Sequence, residues 1–150
     1  MVAFLMTFIN YGYVMGLWYD TAMKALVIAD RQPNIDLASA VNQENIDLVI
    51  TLGDLVREDL LGLEEVKHIP KIGVYGNHDS GMYMSEFDIW GMHLKIWDFK
   101  GLRFGGFQGY VRYKDNPDAI MYTQEEANVL MRGFPAVDVF YIPLPTARYQ

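Results

Sequence analysis

Residues 71–80, KIGVYGNHDS, run from an apolar segment directly into a glycine and a set of polar residues. The apolar part has the composition of a buried strand, and Gly76 allows a sharp turn after it. Asn77, His78 and Asp79 follow at once, and their side chains include groups that bind a metal ion or a phosphate oxygen. The stretch therefore predicts a strand whose carboxyl end carries a functional site.

Two earlier segments end in the same way. Residues 25–30, ALVIAD, close on Asp30, and residues 46–54, IDLVITLGD, close on Asp54. Continuous apolar runs are typical of strands that are buried on both faces of a parallel sheet. The three segments together predict such a sheet.

The connections between these strands have the length of helices. Apolar residues recur at helical spacing over 34–44, after Pro33, and again over 55–67. Strands that alternate with helices predict an α/β fold with right-handed crossovers.

The second half of the chain predicts a hairpin, a helix and a strand. The hairpin spans 93–109 and turns at Lys100-Gly101, and the strand spans 137–142. The helix lies within 122–134 and has Thr123 as its N-cap. Its apolar face is expected to cover the sheet and consists of Ala127, Leu130 and Met131.

The polar residues at the strand ends are expected to converge. Ligands of open parallel sheets lie beyond the carboxyl ends of the strands, and adjacent strands are about 4.8 Å apart. Asp30, Asp54, Asn77 and His78 could therefore hold a pair of divalent ions roughly 3.5–4 Å apart. Taken singly, each has a simpler interpretation: an aspartate as a helix N-cap, the asparagine as a turn residue and the histidine as a surface residue.

The motifs VIAD (27–30), TLGDLV (51–56) and GNHD (76–79) resemble the first three motifs of the calcineurin-like metallophosphoesterases. The resemblance extends from residue 23 to about residue 142. It implies a two-sheet α/β sandwich, incomplete at its C-terminus, in which two divalent ions (Mn, Fe or Zn) activate a hydroxide for phosphoester hydrolysis.

The resemblance also implies a role for each matching residue. Asp30 would bind the first metal ion and Asp54 would bridge both. Asn77 would bind the second ion and contact the phosphate group. His78 would contact a phosphate oxygen or protonate the leaving group, and Asp79 would orient His78.

The chain departs from the family pattern at two places. Gln32 stands where the family has a histidine and would be the metal ligand there. An amide oxygen binds transition metals more weakly than imidazole, so that one of the two metal sites could be lost or could favour a harder ion. The later histidines of the family are absent, because the remaining candidate, His93, is expected to lie in a loop or at a strand edge. Arg112 and Tyr113 could line a substrate cleft, although packing and solvent contacts are the simpler interpretation.

Composition sets further limits. A chain of 150 residues is long enough for one domain. The absence of cysteine excludes disulfides and thiolate zinc sites. A net charge of -7 disfavours nonspecific binding to nucleic acid or to acidic membranes.

The two ends of the chain look foreign to this domain. Residues 1–22 are expected to be an N-terminal extension, with Met23 as an alternative start, and residues 23–150 a partial metallophosphoesterase domain. The segment 141–150 departs from the family pattern, which suggests a truncated or frameshifted C-terminal end. A sheet edge exposed in this way predicts self-association.

Two functions are compatible with these features. The first is a cytoplasmic, metal-dependent phosphatase or phosphodiesterase, with nucleic acid only as a substrate and no membrane partner. The second is a catalytically incompetent fragment or binding module that retains part of the metal site. A nucleotide-binding domain is disfavoured, because no glycine-rich phosphate loop follows the first strand.

Overall fold

The computed structural model describes residues 3–14, 17–30, 35–79 and 81–143, and these form a mixed α/β fold. The larger sheet has five strands in the order β1-β2-β3-β4-β5. Strands β1 and β2 are antiparallel, whereas β2 to β5 all run parallel. The three parallel strands predicted from the apolar runs are therefore confirmed. The bounds are β1 Ala3–Val14, β2 Leu17–Ile28, β3 Leu48–Thr51, β4 Lys71–Gly73 and β5 Trp90–Gly91.

Strand β2 passes through the domain boundary that was expected after residue 22. It pairs with β1 along its whole length, from Val14 opposite Leu17 to Ala3 opposite Ile28. The N-terminal hairpin thus forms one edge of the sheet, and whether it is native to the domain stays a prediction.

The helix predicted over 34–44 is confirmed as α1, Leu37–Gln43. It begins at Leu37 because the Asp36 side chain caps it by accepting a hydrogen bond from the Ser39 N–H at 2.7 Å. Leu37 and Val41 are buried, while Ile35 precedes the helix and is exposed.

The prediction of a helix over 55–67 is wrong. This segment forms a short 3₁₀ helix, Arg57–Leu60, followed by turns. Gly62 has a φ of 96°, which ends any regular helix. The Lys71 ammonium group donates hydrogen bonds to the carbonyls of Leu63 and Val66, and so satisfies backbone groups that a helix would have paired internally.

The second sheet has three strands in the order β10-β7-β6. The predicted hairpin is confirmed, with Lys100 and Gly101 at φ 48° and 77° in its turn. The predicted strand over 137–142 is confirmed as β10, which runs parallel to β7. The bounds are β6 Ile96–Phe99, β7 Leu102–Gly106 and β10 Val139–Tyr141.

Strands β8, Tyr110–Val111, and β9, Met121–Tyr122, form a small parallel pair that leads into helix α2, Gln124–Met131. Helix α2 is confirmed, and it has the expected N-cap, because Thr123 accepts a hydrogen bond from the Glu126 N–H.

The expectation that α2 covers the sheet is wrong. None of its residues is buried, and Leu130 of the predicted face is 39% exposed. The reason is that another segment occupies the space above β7. A Cβ atom at Gly105 would meet the Phe134 ring at 2.9 Å and Val137 at 3.1 Å. The chain after the helix therefore packs where the helix was expected.

The core lies on both faces of the five-stranded sheet. Along β2, Leu26 and Ile28 face α1, and Ala25 and Val27 face the second sheet, where Phe104 is fully buried. This explains the uninterrupted apolar run of β2. Within the described residues, no helix has both the length and the apolar character needed to cross a bilayer.

Candidate metal centre

The carboxyl ends of β2, β3 and β4 lie side by side at one edge of the larger sheet, as parallel pairing requires. Asp30 follows β2, Asp54 follows β3, and Asn77 and His78 follow β4. The first two loops are joined directly, because the Asp30 N–H donates a hydrogen bond to the Gly53 carbonyl at 3.2 Å. We call this region, formed by residues 30, 53–56 and 75–79, the polar edge.

Neither aspartate is a helix N-cap. Helix α1 is capped by Asp36, and the 3₁₀ helix after β3 begins three residues beyond Asp54. Asp30 and Asp54 instead have left-handed backbone conformations, with φ of 72° and 55°. Aspartate and asparagine tolerate this region better than other side chains.

Two glycines let the loops after β3 and β4 come into contact. A Cβ atom at Gly53 would lie 2.1 Å from the Gly76 nitrogen, and one at Gly76 would lie 2.2 Å from Asp54 Oδ1. No real Cβ atom fits at these distances, so the approach of the two loops depends on glycine at both positions.

Asp79 links the two loops through its carboxylate. Its Oδ1 accepts a hydrogen bond from the Leu55 N–H at 2.7 Å. Its Oδ2 accepts from the Asp54 N–H at 3.0 Å, the Gly76 N–H at 2.7 Å and the Tyr83 hydroxyl at 3.2 Å. Both oxygens are thus occupied, which suits Asp79 to positioning rather than to metal binding.

Burial dominates the electrostatics of this pair. Desolvation raises the pKa of the Asp79 carboxyl, although the backbone N–H donors oppose the rise. Burial, and next the Asp79 charge, raises the pKa of Tyr83 far above its usual value, so its hydroxyl remains a donor.

Asp54 also contacts the loop after β4. Its Oδ1 accepts a hydrogen bond from the His78 N–H at 3.0 Å, and His78 itself is exposed. Asn77 is 6% exposed, and its side chain makes no hydrogen bond within the described part of the chain. Its amide oxygen is of the type that hard cations accept as a ligand.

The donor set is made of oxygen atoms. Residues 35–79, 81–143 and the described residues before them contain no cluster of three or more His, Cys, Asp or Glu side chains suited to a metal ion. If Asp30, Asp54 and Asn77 acted as ligands, they would offer two carboxylates and one amide oxygen, a set that fits a hard cation such as Mn²⁺ better than Zn²⁺. The predicted ligand Gln32, with Arg31 and Pro33 beside it, lies outside the described residues.

Arg112 contacts groups other than those of the polar edge. Its guanidinium group lies 3.1 Å from Glu126 Oε2 and donates a hydrogen bond to the Met121 carbonyl. No contact joins it to Asp54, Asn77 or His78 in the described chain. Its predicted contact with substrate stays a prediction.

His93 is placed more centrally than its sequence indicates. It follows β5, the fourth parallel strand, and forms a parallel bridge with Gly106 at the end of β7. Its Nδ1 accepts a hydrogen bond from the Gln108 N–H at 3.2 Å, and its Nε2 lies 3.5 Å from the Tyr122 hydroxyl. Burial lowers the pKa of the ring.

In this conformation the neutral His93 ring has no free lone pair to offer to a metal ion. The lone pair of Nδ1 is engaged, so the proton of the neutral ring lies on Nε2. The contacts of His93 are instead with Gln108, Tyr122 and Phe107. The sequence signal for it is weak, because β5 has two residues and no apolar run.

Comparison of the chain with protein-family models, with curated proteins and with solved structures found no match.

Proposed function

We propose that the chain is a metal-dependent phosphoesterase of the calcineurin-like type, which hydrolyses phosphomonoesters or phosphodiesters. The observation that carries this proposal is the linkage of three strand ends at the polar edge. Asp79 holds the loops after β3 and β4 together, and Asp30 is joined to the first of them through Gly53. Oxygen ligands on rigid neighbouring loops are what a divalent cation requires.

Asp30, Asp54 and Asn77 would hold the cation or cations. A bound divalent ion neutralises the anionic phosphoryl group and lowers the pKa of a bound water. The exposed His78 ring can donate a hydrogen bond to a phosphate or leaving-group oxygen. Asp79 would act as a positioning residue, because it fixes the backbone on which Asp54 and Asn77 stand.

A binding module that holds a cation without turnover is the second candidate. It is favoured by the small set of candidate ligands, because the Asp79 oxygens already accept hydrogen bonds and His93 uses its lone pair elsewhere. This candidate predicts cation binding without hydrolysis.

The decisive experiment compares Asp54→Asn with the wild-type chain. Asparagine retains the shape of the side chain and tolerates the left-handed backbone of residue 54, so the change removes charge with little strain. Hydrolysis of p-nitrophenyl phosphate and bis-p-nitrophenyl phosphate is measured with Mn²⁺, Mg²⁺ or Zn²⁺ after chelator treatment. We expect Mn²⁺-dependent turnover that falls at least about 100-fold in Asp54→Asn.

Asp118→Asn is the matched control, because Asp118 is exposed in the loop before β9. It should leave turnover unchanged. Activity that survives Asp54→Asn would contradict the phosphoesterase proposal. Cation binding with no turnover under any metal would establish the binding module instead.

A further inference from the structure

A second feature at the carboxyl edge of the fold is an apolar cavity of about 300 Å³. It lies beyond the ends of β7 and β10, between the β8–β9 pair and α2. We call it the aromatic cavity, because rings form much of its wall. Its lining includes Phe107, Gly109, Tyr110, Tyr122, Ala127 and Ile142.

The aromatic cavity and the polar edge belong to the same side of the molecule. Strands β10 and β7 are parallel, and the His93–Gly106 bridge sets the end of β7 parallel to the segment that follows β5. The Gly109 N–H also donates a hydrogen bond to the Tyr75 carbonyl at 2.8 Å. Gly109 lines the cavity, and Tyr75 directly precedes Gly76 and Asn77, so the two features are joined through one hydrogen bond.

The walls of the cavity are held in place from behind. The Tyr122 ring stacks on His93 with ring centroids 5.9 Å apart and planes at 15°. It also packs against the Phe107 ring, with ring centroids 5.1 Å apart. His93 is fixed in turn by the Gln108 N–H. Rings that are immobilised before binding lose little entropy when a ligand arrives.

We infer that the aromatic cavity binds an aromatic ring carried by the phosphoester substrate. This inference rests on the proposed function, and it adds the substrate class. The volume lies at the lower end of the range of small-molecule sites, which suits one ring system. Ring walls favour offset or edge-to-face contacts with such a group, while the phosphoryl group lies at Asn77 and His78. Benzylic phosphoesters and nucleotides both carry an aromatic ring and a phosphoryl group.

Ala127→Leu tests the inference, because it fills the cavity from a helix that is not buried, and leucine is a good helix former. Ala136→Leu is the matched control at an exposed residue outside the cavity. Binding is measured with 4-fluorobenzyl phosphate and the diamagnetic ion Mg²⁺ by the ¹⁹F line width. Turnover is measured as phosphate release from benzyl phosphate against methyl phosphate, and from adenosine 5′-monophosphate against ribose 5-phosphate.

Each of these pairs has similar leaving groups, so the ratio of kcat/KM within a pair reports the ring. We expect the wild type to prefer at least one ring-bearing ester, and the larger preference identifies the source of the ring. Ala127→Leu should reduce that ratio about 10-fold and narrow the ¹⁹F line. Ala136→Leu should leave both readouts unchanged.

Equal kcat/KM for ring-bearing and ring-free esters, or ¹⁹F broadening that Ala127→Leu does not reduce, would overturn the inference and leave the proposed function standing. Absence of turnover with Mn²⁺ for all four monoesters and for the diester bis-p-nitrophenyl phosphate would overturn the proposed function, and the inference with it.

Discussion

The polar edge and the aromatic cavity lie on the same side of the fold but are built by different physical means. At the polar edge one carboxylate, that of Asp79, accepts four hydrogen bonds, three from the N–H groups of two loops and one from the Tyr83 hydroxyl. At the cavity, rings of Phe107, His93 and Tyr122 contact one another, and the adjoining helix α2 buries no residue.

The two regions differ in how tightly their contacts fix the positions of atoms. Hydrogen bonds to a buried carboxylate fix atoms within tenths of an ångström, and each donor left unpaired is costly. Ring contacts are weaker and less directional. We therefore expect substitutions that remove hydrogen bonds at the polar edge to lower stability more than substitutions at the cavity do.

The largest effect on stability is expected for Asp79→Ala. It leaves the N–H groups of Asp54, Leu55 and Gly76 and the Tyr83 hydroxyl without their acceptor. Because a lost charged acceptor and unpaired buried donors each have a cost, the free energy of unfolding should fall by about 3 kcal/mol or more. Urea denaturation measures this, with Asp115→Ala, at an exposed residue, as the control. Equal urea midpoints for Asp79→Ala and Asp115→Ala would show that the Asp79 carboxylate does not stabilise the fold.

A smaller loss is expected for Gly53→Ala relative to Gly133→Ala. Both glycines have nearly the same φ, 78° and 79°, so the left-handed strain is common to both variants. Only at Gly53 would the new Cβ meet another loop, at 2.1 Å from the Gly76 nitrogen, whereas nothing lies within 4 Å at Gly133. Gly53→Ala should be less stable than Gly133→Ala by about 1–3 kcal/mol. Equal stabilities would show that the loops are not in close contact.

The smallest effect is a pH dependence at the cavity. Burial lowers the pKa of His93 in the folded state, so on acidification through its ordinary value of about 6.5 the unfolded chain takes up the proton first. The stability due to neutral His93 is therefore complete above that pH and is lost as the pH falls toward the lowered pKa. Thermal melting from pH 8 to pH 5 should show a shallower decline in His93→Gln, with His68→Gln as the control for loss of an imidazole. An unchanged slope in His93→Gln would contradict burial of this ring.

Elements with strong local signals could be predicted from the sequence. The apolar runs before Asp30 and Asp54 specify buried parallel strands, Lys100-Gly101 specifies the hairpin turn, and Thr123 specifies the start of α2. These signals depend on neighbouring residues alone.

Features that depend on distant contacts could not be predicted. The segment 55–67 has helical spacing, but Lys71 binds its carbonyls and Gly62 turns it. Helix α2 is amphipathic in sequence, yet Phe134 occupies the space it was expected to cover. The four bonds of Asp79 join residues that are up to 25 positions apart. The residues of the polar edge could thus be predicted from the sequence, but the hydrogen bonds of the Asp79 carboxylate that hold its loops together could not.

Calorimetric titration of Mn²⁺ into the metal-free chain tests most directly whether Asp30, Asp54 and Asn77 form a cation site. The account predicts saturable binding by the wild type, weakened at least about 10-fold in Asp54→Asn and unchanged in Asp118→Asn. Equal affinities for the wild type and Asp54→Asn, or no binding by either, would contradict it.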